Sequence, residues 1–503
     1  NVKSIGKYAF YATFIKELTL PDNCVVDNYA FALMPQLEKV TVGNGVGLGE
    51  GAFFCPMNDF TYEKVGSFAY YTRYTYEVKD ESGKVIESYD YYRYNPTASS
   101  VSVLKTVEIG DNVKIGTAAF AGNVNLQNLT LGEGAEIGDR AFYNDSALTS
   151  VDFSKVKSIG DYAFSGQRMN DYWLYKNTWR NAYERQYIDG EVKIVGYLYA
   201  SYAPRITSAD LSKVETVGEG AFAFNDKLAS VKINENATKV SDYAFAYCTA
   251  LSSLTLSETV TEIGDYAFMK TNLESVDLSK VETLGEGAFA RTALKSVKLA
   301  ETSYLGDVAF AYCYYLGTVD NLNGATYIGA NAFNGAKLTK LNLEKAETIG
   351  DYAFANSQVT EVTLGDNVKE LGENPFGGCK IKTFGRYEDI VFGGKVIGKE
   401  LNENFTVSDS VYVIDGVLYR ALPNGMKELV SYPVEAVAKT YEIAEGTSRI
   451  SATAFARSKL SNVVLPSTLK AIGHKAFYNM ENLSSVTFLS PDAPVLEEEY
   501  DES

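Results

Sequence analysis

The stretch "IGDYAF" occupies residues 159–164, recurs at 263–268, and stands a third time at 349–354. Aligned on its last ring, the same pattern reads IGKYAF (5–10), VVDNYAF (25–31), LGEGAF (48–53), VGSFAY (65–70), IGTAAF (115–120) and IGDRAF (137–142). It continues as VGEGAF (217–222), VSDYAF (240–245), LGEGAF (284–289), LGDVAF (305–310), IGANAF (328–333), LGENPF (371–376), ISATAF (450–455) and IGHKAF (472–477), seventeen copies in all. Most neighbours are 21 to 23 residues apart, and a fixed period of that length marks a stacked array instead of separate globules.

Between copies lies a second signature, L-x-x-V-x-L, as in Leu126–Leu129–Leu131, Leu273–Val276–Leu278 and Leu294–Val297–Leu299. Its alternation predicts a short strand with one inward face. Each coil is therefore expected to supply one strand and one returning segment, and stacking buries the apolar side of every coil at once. Within the hexamer, Ile and Phe are core plugs, Ala leaves room for them, and Gly supplies a turn conformation that a Cβ would penalise. The following acidic residue (Asp161, Asp265, Asp351) is expected to cap or charge-stabilise a one-turn helix. A calcium ladder is the sharper alternative, although one carboxylate per coil falls short of the oxygen-rich loop calcium uses.

Composition narrows the function classes. With 503 residues, 46% of them hydrophobic, the chain can bury a large core. A formal charge of −18 argues against nucleic acid and anionic membrane surfaces as main partners. No run of eighteen apolar residues occurs, so no membrane insertion is expected in this segment. The chain begins at Asn1, inside a repeat, and reads as an excised fragment. Cys248, Cys313 and Cys379 each follow a repeat Phe by three residues; at three coils apart, roughly 15 Å, they lie beyond the ~7 Å of a disulfide and read as small buried thiols. His474 is the sole histidine and sits in a variable slot, a surface decoration, so a Ser-His-Asp triad has nowhere else to form. Zinc ligands and a phosphate loop are absent, and the glycines of "VGNGVGLGEG" (42–51) are turn glycines. Paired carboxylates occur as in any acidic chain, but an array offers equivalent solvated positions instead of a cleft. No catalytic residue, metal site or cofactor is expected.

The pattern L-x-x-V-x-L-P followed by x-x-I-G-x-x-A-F-x-x-C, seen best in "LSSLTLSETVTEIGDYAF" (251–268) and "LSNVVLPSTLKAIGHKAF" (460–477), resembles the BspA-like, treponemal-type leucine-rich repeat family over about three quarters of the chain. The resemblance implies a leucine-rich repeat solenoid, a right-handed superhelix of 21–23-residue coils, α/β to mainly β, carrying β-hairpin insertions. It also implies a secreted or cell-surface protein of bacterial type with a binding role, several family members looking like adhesins. It transfers no catalytic residues.

Three gaps break the period: Tyr70 to Phe120, Phe164 to Phe222 and Phe376 to Phe455. The reading is a repeat array over 1–385 with insertions at 70–102 and 168–205, an irregular β-hairpin segment at 386–442, C-terminal repeats at 443–489 and an acidic linker at 490–503. The first two insertions enter between the end of one motif and the next strand, so they are expected on one edge, from parent coils three apart. Residues 70–95 and 168–204 hold both tryptophans of the chain and a disproportionate share of its 37 tyrosines. "DESGK" in the first and "DG" in the second predict hairpin turns. "PNG" within 410–433 predicts another, assigned to structure.

Tyr and Trp provide large rigid contact area with a polar end. Candidate partner-binding residues are Tyr74, Tyr76, Tyr89, Tyr91, Tyr92, Arg93 and Tyr94 in the first insertion, and Tyr172, Trp173, Tyr175, Trp179, Arg180, Tyr183, Arg185 and Tyr187 in the second. For any single ring, packing on the solenoid edge is the simpler role; the cluster as a whole points to a surface that binds a host or neighbouring-cell protein. A glycan is the second candidate partner, and a spacer that presents another domain is the third reading. The exposed strand column, Thr41, Glu108, Thr130, Asp152, Lys232, Thr255, Asp277, Lys298, Asn342 and Thr363, is polar, almost free of rings, and reads as solvated.

Overall fold

Most repeats contribute two short strands where the sequence led us to expect one. The computed structural model describes residues 2–55, 102–166, 203–382, 384 and 410–497. It also gives the backbone of strands at 71–79, 85–94, 183–188, 191–197, 386–392, 395–402 and 405–406. Its contacts group the chain into two units, Asn1–Ala237 with Ser241–Ser257, and Thr238–Val240 with Glu258–Ser503.

In the first unit the residues before each Gly form a seven-stranded sheet, from Ser4–Ile5 through Lys114–Ile115 to Thr216–Val217, every pair parallel. The L-x-x-V-x-L segments form the second layer, Glu17–Leu20 beside Lys39–Val42, Thr106–Ile109 and Asn128–Thr130, then Ser208–Asp210, Ser230–Lys232 and Ser253–Thr255. Alternate residues of Lys39–Val42 are buried, as a half-buried strand requires. The second unit repeats the plan in a seven-stranded parallel sheet from Lys239–Val240 to Glu370–Leu371. Each unit is thus a parallel β-solenoid. Among the described residues the one helical element is a 3-10 turn at Leu322–Gly324, which makes the fold mainly β.

The core between the two layers is a column of phenylalanines. Phe31, Phe53, Phe120, Phe142 and Phe164 stack nearly coplanar at 5.0–5.4 Å between centroids. In the second unit Phe268, Phe289, Phe310, Phe333, Phe354 and Phe376 do the same at 5.2–5.8 Å. One ring per coil keeps pace with the ~4.8 Å strand spacing, and burying each contributes about 2–3 kcal/mol.

The hexamer's corner is built differently from expectation. Tyr162, two residues before Phe164, is left-handed (φ 53°), and so are Tyr266 and Tyr352 in the other two IGDYAF copies. A second left-handed residue follows the Phe by two positions, as at Lys270, Arg291 and Tyr312. These two residues turn the chain with no helix, so the acidic residue has no helix to cap. Asp161 Oδ1 instead accepts the backbone N–H of Glu219 in the next coil at 2.8 Å, as Asp265 does from Glu286. That bond occupies the carboxylate as an inter-coil tie, and among the described residues no group of three or more His, Cys, Asp or Glu side chains is placed to hold a metal ion. The Gly after Ile or Val is needed for close approach, not for its φ: a Cβ on Gly218 would stand 2.6 Å from the Asp161 nitrogen.

The third gap ends the regular column. Leu371 O, which in other coils accepts a backbone N–H, accepts Arg420 Nη1 at 2.5 Å. Val411–Ile414, Val417–Ala421 and Lys427–Ser431 run antiparallel, the last two around the PNG turn, and Lys427–Ser431 then pairs parallel with Thr447–Ile450. Tyr432 fills the ring slot, stacked 5.2 Å from Phe455. Glu428 is buried between Arg420 (2.7 Å) and Arg449, and Arg449 also binds Glu497 at 2.7 Å. Val495–Leu496 pairs with Ala471–Ile472, extending the sheet past residue 490.

Candidate functional site

Both aromatic insertions leave the array at one kind of corner. Phe53 stacks directly on Phe120 at 5.0 Å and Phe164 on Phe222 at 5.6 Å, although 67 and 58 residues separate them in sequence. No rung therefore stands between Phe53 and Phe120. The copy read at 65–70 lies outside the described residues, and the interruption runs from Phe53, not from Tyr70.

The exit and return points can be fixed from hydrogen bonds. Cys55, two residues after Phe53, still bonds the next coil through its N–H to Ala121 O at 3.1 Å. In several coils the slot three residues after the Phe holds a buried donor aimed at the preceding coil's Phe carbonyl: Asn123 to Phe53 O at 3.1 Å, Asn225 to Phe164 O at 2.7 Å, Cys248 to Phe222 O at 3.2 Å. Cys313 and Cys379 make the same contact, which gives the buried thiols a task beyond filling space. In the Phe53 coil Ser102 takes this slot, its Oγ 2.5 Å from Asn123 Oδ1 and its spacing to buried Leu104 matching that of Thr271 to Leu273. The first excursion thus spans 56–101. In the Phe164 coil, Gly166 lies so close to Ala203 that a Cβ on it would overlap the Ala203 backbone. The second excursion spans 167–202 and closes on itself.

The floor between the two exits is apolar. Phe54 and Tyr162 pack with Tyr143 around Ala118 and Ala121, and Arg140 lies over the Tyr162 ring at 5.3 Å. Tyr162 donates its hydroxyl to Glu219, and its own proton is held more tightly by burial first and by that carboxylate second. Beyond the second exit, Ala203, Ala223, Phe224 and Tyr247 continue the floor, the last two stacked at 4.7 Å. Sequence reasoning missed these rings. They sit at three different offsets from the repeat Phe, one residue after it (Phe54, Tyr143), two after it (Phe224, Tyr247) and two before it (Tyr162), so no single column of the sequence announced them.

The excursions carry antiparallel hairpins. Tyr71–Lys79 pairs with Val85–Tyr94, setting Tyr74 opposite Tyr91, Tyr76 opposite Tyr89, and Arg93 opposite Thr72. Tyr92 stands opposite Arg73 and Tyr94 opposite Tyr71. Tyr183–Ile188 pairs with Glu191–Tyr197, setting Tyr183 opposite Tyr197, Arg185 opposite Ile194 and Tyr187 opposite Val192. Strands Tyr71–Lys79 and Tyr183–Ile188 approach within 8 Å, Cα to Cα. Tyr172, Trp173, Tyr175, Trp179 and Arg180 lie outside the described residues.

The rival strand column neutralises itself. Glu108 takes Lys39 at 2.7 Å and Thr41 at 2.9 Å, which hold its carboxyl below the usual range, and Lys298 faces Asp277 at 3.5 Å. His474 is half-buried in its coil, deeper than a surface decoration.

Residues 1–77, 87–182, 193–317, 282–392 and 436–495 match the family profile described as BspA type leucine rich repeat region, in six copies. A search of curated proteins found no match. Among solved structures the chain is similar to a leucine-rich repeat protein from Bacteroides ovatus: 19% identity, 76% of this chain and 78% of that one, TM-score 0.40. It is also similar to a leucine rich cell surface protein from Faecalibacterium prausnitzii: 24% identity, 66% and 65% covered, TM-score 0.33. A third is the pneumococcal vaccine antigen PcpA: 20% identity, 52% and 50% covered, TM-score 0.29. Among the described residues no helix is long and apolar enough to cross a membrane.

Proposed function

Because the chain belongs to the BspA-type leucine-rich repeat family, we propose that it is a non-catalytic recognition module displayed outside the cell, binding a host or neighbouring-cell protein through its two aromatic hairpins. The observation that carries this reading is the common corner: both excursions open between the second and third residue after a repeat Phe, and the core column runs on beneath them. A rigid array then fixes the separation of two aromatic loops over a floor of Phe54, Tyr143 and Tyr162, the apolar centre and polar rim that protein recognition uses. The rings combine large contact area with few rotatable bonds, and the near-neutral charge of the two insertions suits a desolvated patch on an acidic frame.

The test excises 56–101 and 167–202, singly and together, joining Cys55 to Ser102 and Gly166 to Ala203 through short Gly-Ser links. Intact and excised chains are then screened against extracellular-matrix proteins and a glycan array. The reading expects a protein ligand that binds the intact chain and is lost on excision while the β circular-dichroism spectrum stays. Unchanged binding overturns it. A glycan-only ligand moves the site to the carbohydrate reading, and no ligand at all favours a spacer.

A further inference from the structure

The slot three residues after Phe142 holds Asp145, the one carboxyl in a column that holds amides, thiols and hydroxyls such as Asn123, Asn225, Cys248 and Thr271, and the apolar Met34, Ala336 and Met480 in three other coils. It is wholly buried. Its Oδ1 accepts the backbone N–H of Asn123 at 2.8 Å, and its Oδ2 has no hydrogen-bond partner. In the equivalent amides the nitrogen corresponding to Oδ2 donates twice. Asn225 Nδ2 reaches Phe164 O at 2.7 Å and Phe222 O at 2.8 Å; Asn123 Nδ2 reaches Phe53 O at 3.1 Å and also Phe120 O. In the neighbouring amide coils the Phe carbonyls receive a donor at this point, and an ionised carboxylate has none to give.

We propose that Asp145 is held as the neutral acid, with the single Oδ2 hydroxyl proton donated to one of the Phe120 and Phe142 carbonyls in the place of an Asn amide, so that the root of the first hairpin tightens in acid and loosens in alkali. The link to the root is short. Asp145 holds Asn123, and Asn123 holds both Phe53 O and the Ser102 hydroxyl where the excursion returns. Among the described residues the titratable group facing Asp145 is Cys55 at the exit. Burial pushes its thiol up to about 12, a hydrogen bond from the Ser102 backbone lowers it in part, and Asp145 adds to the rise. Asn123 and Ser102 are uncharged. Among the described residues no cation offsets a charge on Asp145, and burial accordingly drives its carboxyl well above the usual range, against the Asn123 and Gly122 N–H bonds.

The sign follows from linkage. A carboxyl that binds its proton more tightly folded than unfolded lowers stability as pH rises above the unfolded value near ~4, and the loss stops once the folded group ionises. The experiment compares the full chain with Asp145→Asn, whose amide supplies the donor at every pH. Urea unfolding is followed from pH 4 to 9, with the carboxyl carbon shift of Asp145 in labelled wild type as the second readout. The ratio of the variant's folding constant to that of wild type is expected to climb about tenfold per pH unit above ~4 and then level off. The carboxyl shift is expected to stay at its protonated value through neutral pH, and the protection factors of amides 55 and 102, taken relative to intrinsic base-catalysed exchange, to fall with alkali only in wild type. A pH-independent ratio, or a carboxyl shift that moves near pH 4, overturns the proposal whether or not the variant folds well.

Discussion

Tyr162 explains why the same six letters are reused. Its left-handed backbone lays the ring over the next coil, where a Cβ on Gly220 would strike the ring and where Glu219 accepts the hydroxyl. The same pairing joins Tyr29 to Gly51 and Glu50, with the hydroxyl contact at 2.6 Å, and Tyr266 to Gly287 and Glu286. The D-Y-A-F coils of Tyr162 and Tyr266 and the N-Y-A-F coil of Tyr29 are each followed by a G-E-G-A-F coil, a pairing between neighbours and not within a repeat, whereas Tyr243 precedes IGDYAF and Tyr352 precedes LGENPF. Gly220→Ala meets both the ring and a φ of 56°, and we expect a loss of about 1–3 kcal/mol in urea unfolding. In a Tyr162→Phe background the hydroxyl bond is gone but the ring remains, so the penalty persists. In a Tyr162→Ala background most of it disappears; equal penalties in all three would refute the steric pairing. The Asp tie makes its own prediction: Asp161→Asn keeps an oxygen for the Glu219 N–H and costs little, while Asp161→Ala loses about 1 kcal/mol. Letters alone conceal this pairing, because Tyr162 is left-handed through contacts with a coil 57 residues away in sequence.

At the level of elements, the apolar period marked the coils plainly, since each Ile or Leu and each Phe must reach a shared core. The two-residue strands were not legible. They exist because the coil below supplies a parallel partner, and no local propensity announces them. The direct Phe53–Phe120 stack was not legible either, because which rung follows which is set by the ring column and not by the order of motif copies in the sequence. The third gap shows the converse. Leu429 pairs with Ile450 and Tyr432 sits in the ring slot, three residues on where a regular coil allows five, so a sequence unlike the motif still makes a rung. Arg420, Glu428 and Arg449 join that rung to Leu371, with the Glu428 side chain only 1% exposed. Glu428→Ala removes the carboxylate facing Arg420 and leaves Arg449 to Glu497 and Glu373, and is expected to cost about 1.5–3 kcal/mol, visible as early loss of amide protection over 447–472. Replacing the set Arg420→Met, Glu428→Leu and Arg449→Met should recover much of it. A triple variant no better than Glu428→Ala would show that the network supplies more than neutral packing.

For the molecule as a recognition device, the quantity that matters is the distance between the two exits, and in the first unit the coil count sets it. The Phe53 and Phe164 coils are three steps apart, roughly 15 Å at the strand spacing. The hairpin residues and their aromatic bias were legible in the sequence, because rings crowded into breaks of a regular period stand out; the exits and the floor were not, because they depend on which rung each excursion rejoins. A solenoid's stability is close to a sum of neighbour terms, so a duplicated coil is tolerated where a globular core would reject it. Inserting a second copy of residues 121–142 after Phe142 should keep the β spectrum and the melting temperature within a few degrees, yet widen the exits to roughly 20 Å. If the hairpins act as one surface, the duplicated chain binds its protein ligand at least tenfold more weakly, and a disulfide engineered between Thr75→Cys and Gln186→Cys forms more slowly than in the parent. Equal affinity with slowed cross-linking would mean that one hairpin suffices; equal affinity with unchanged cross-linking would mean that the array does not set the spacing at all.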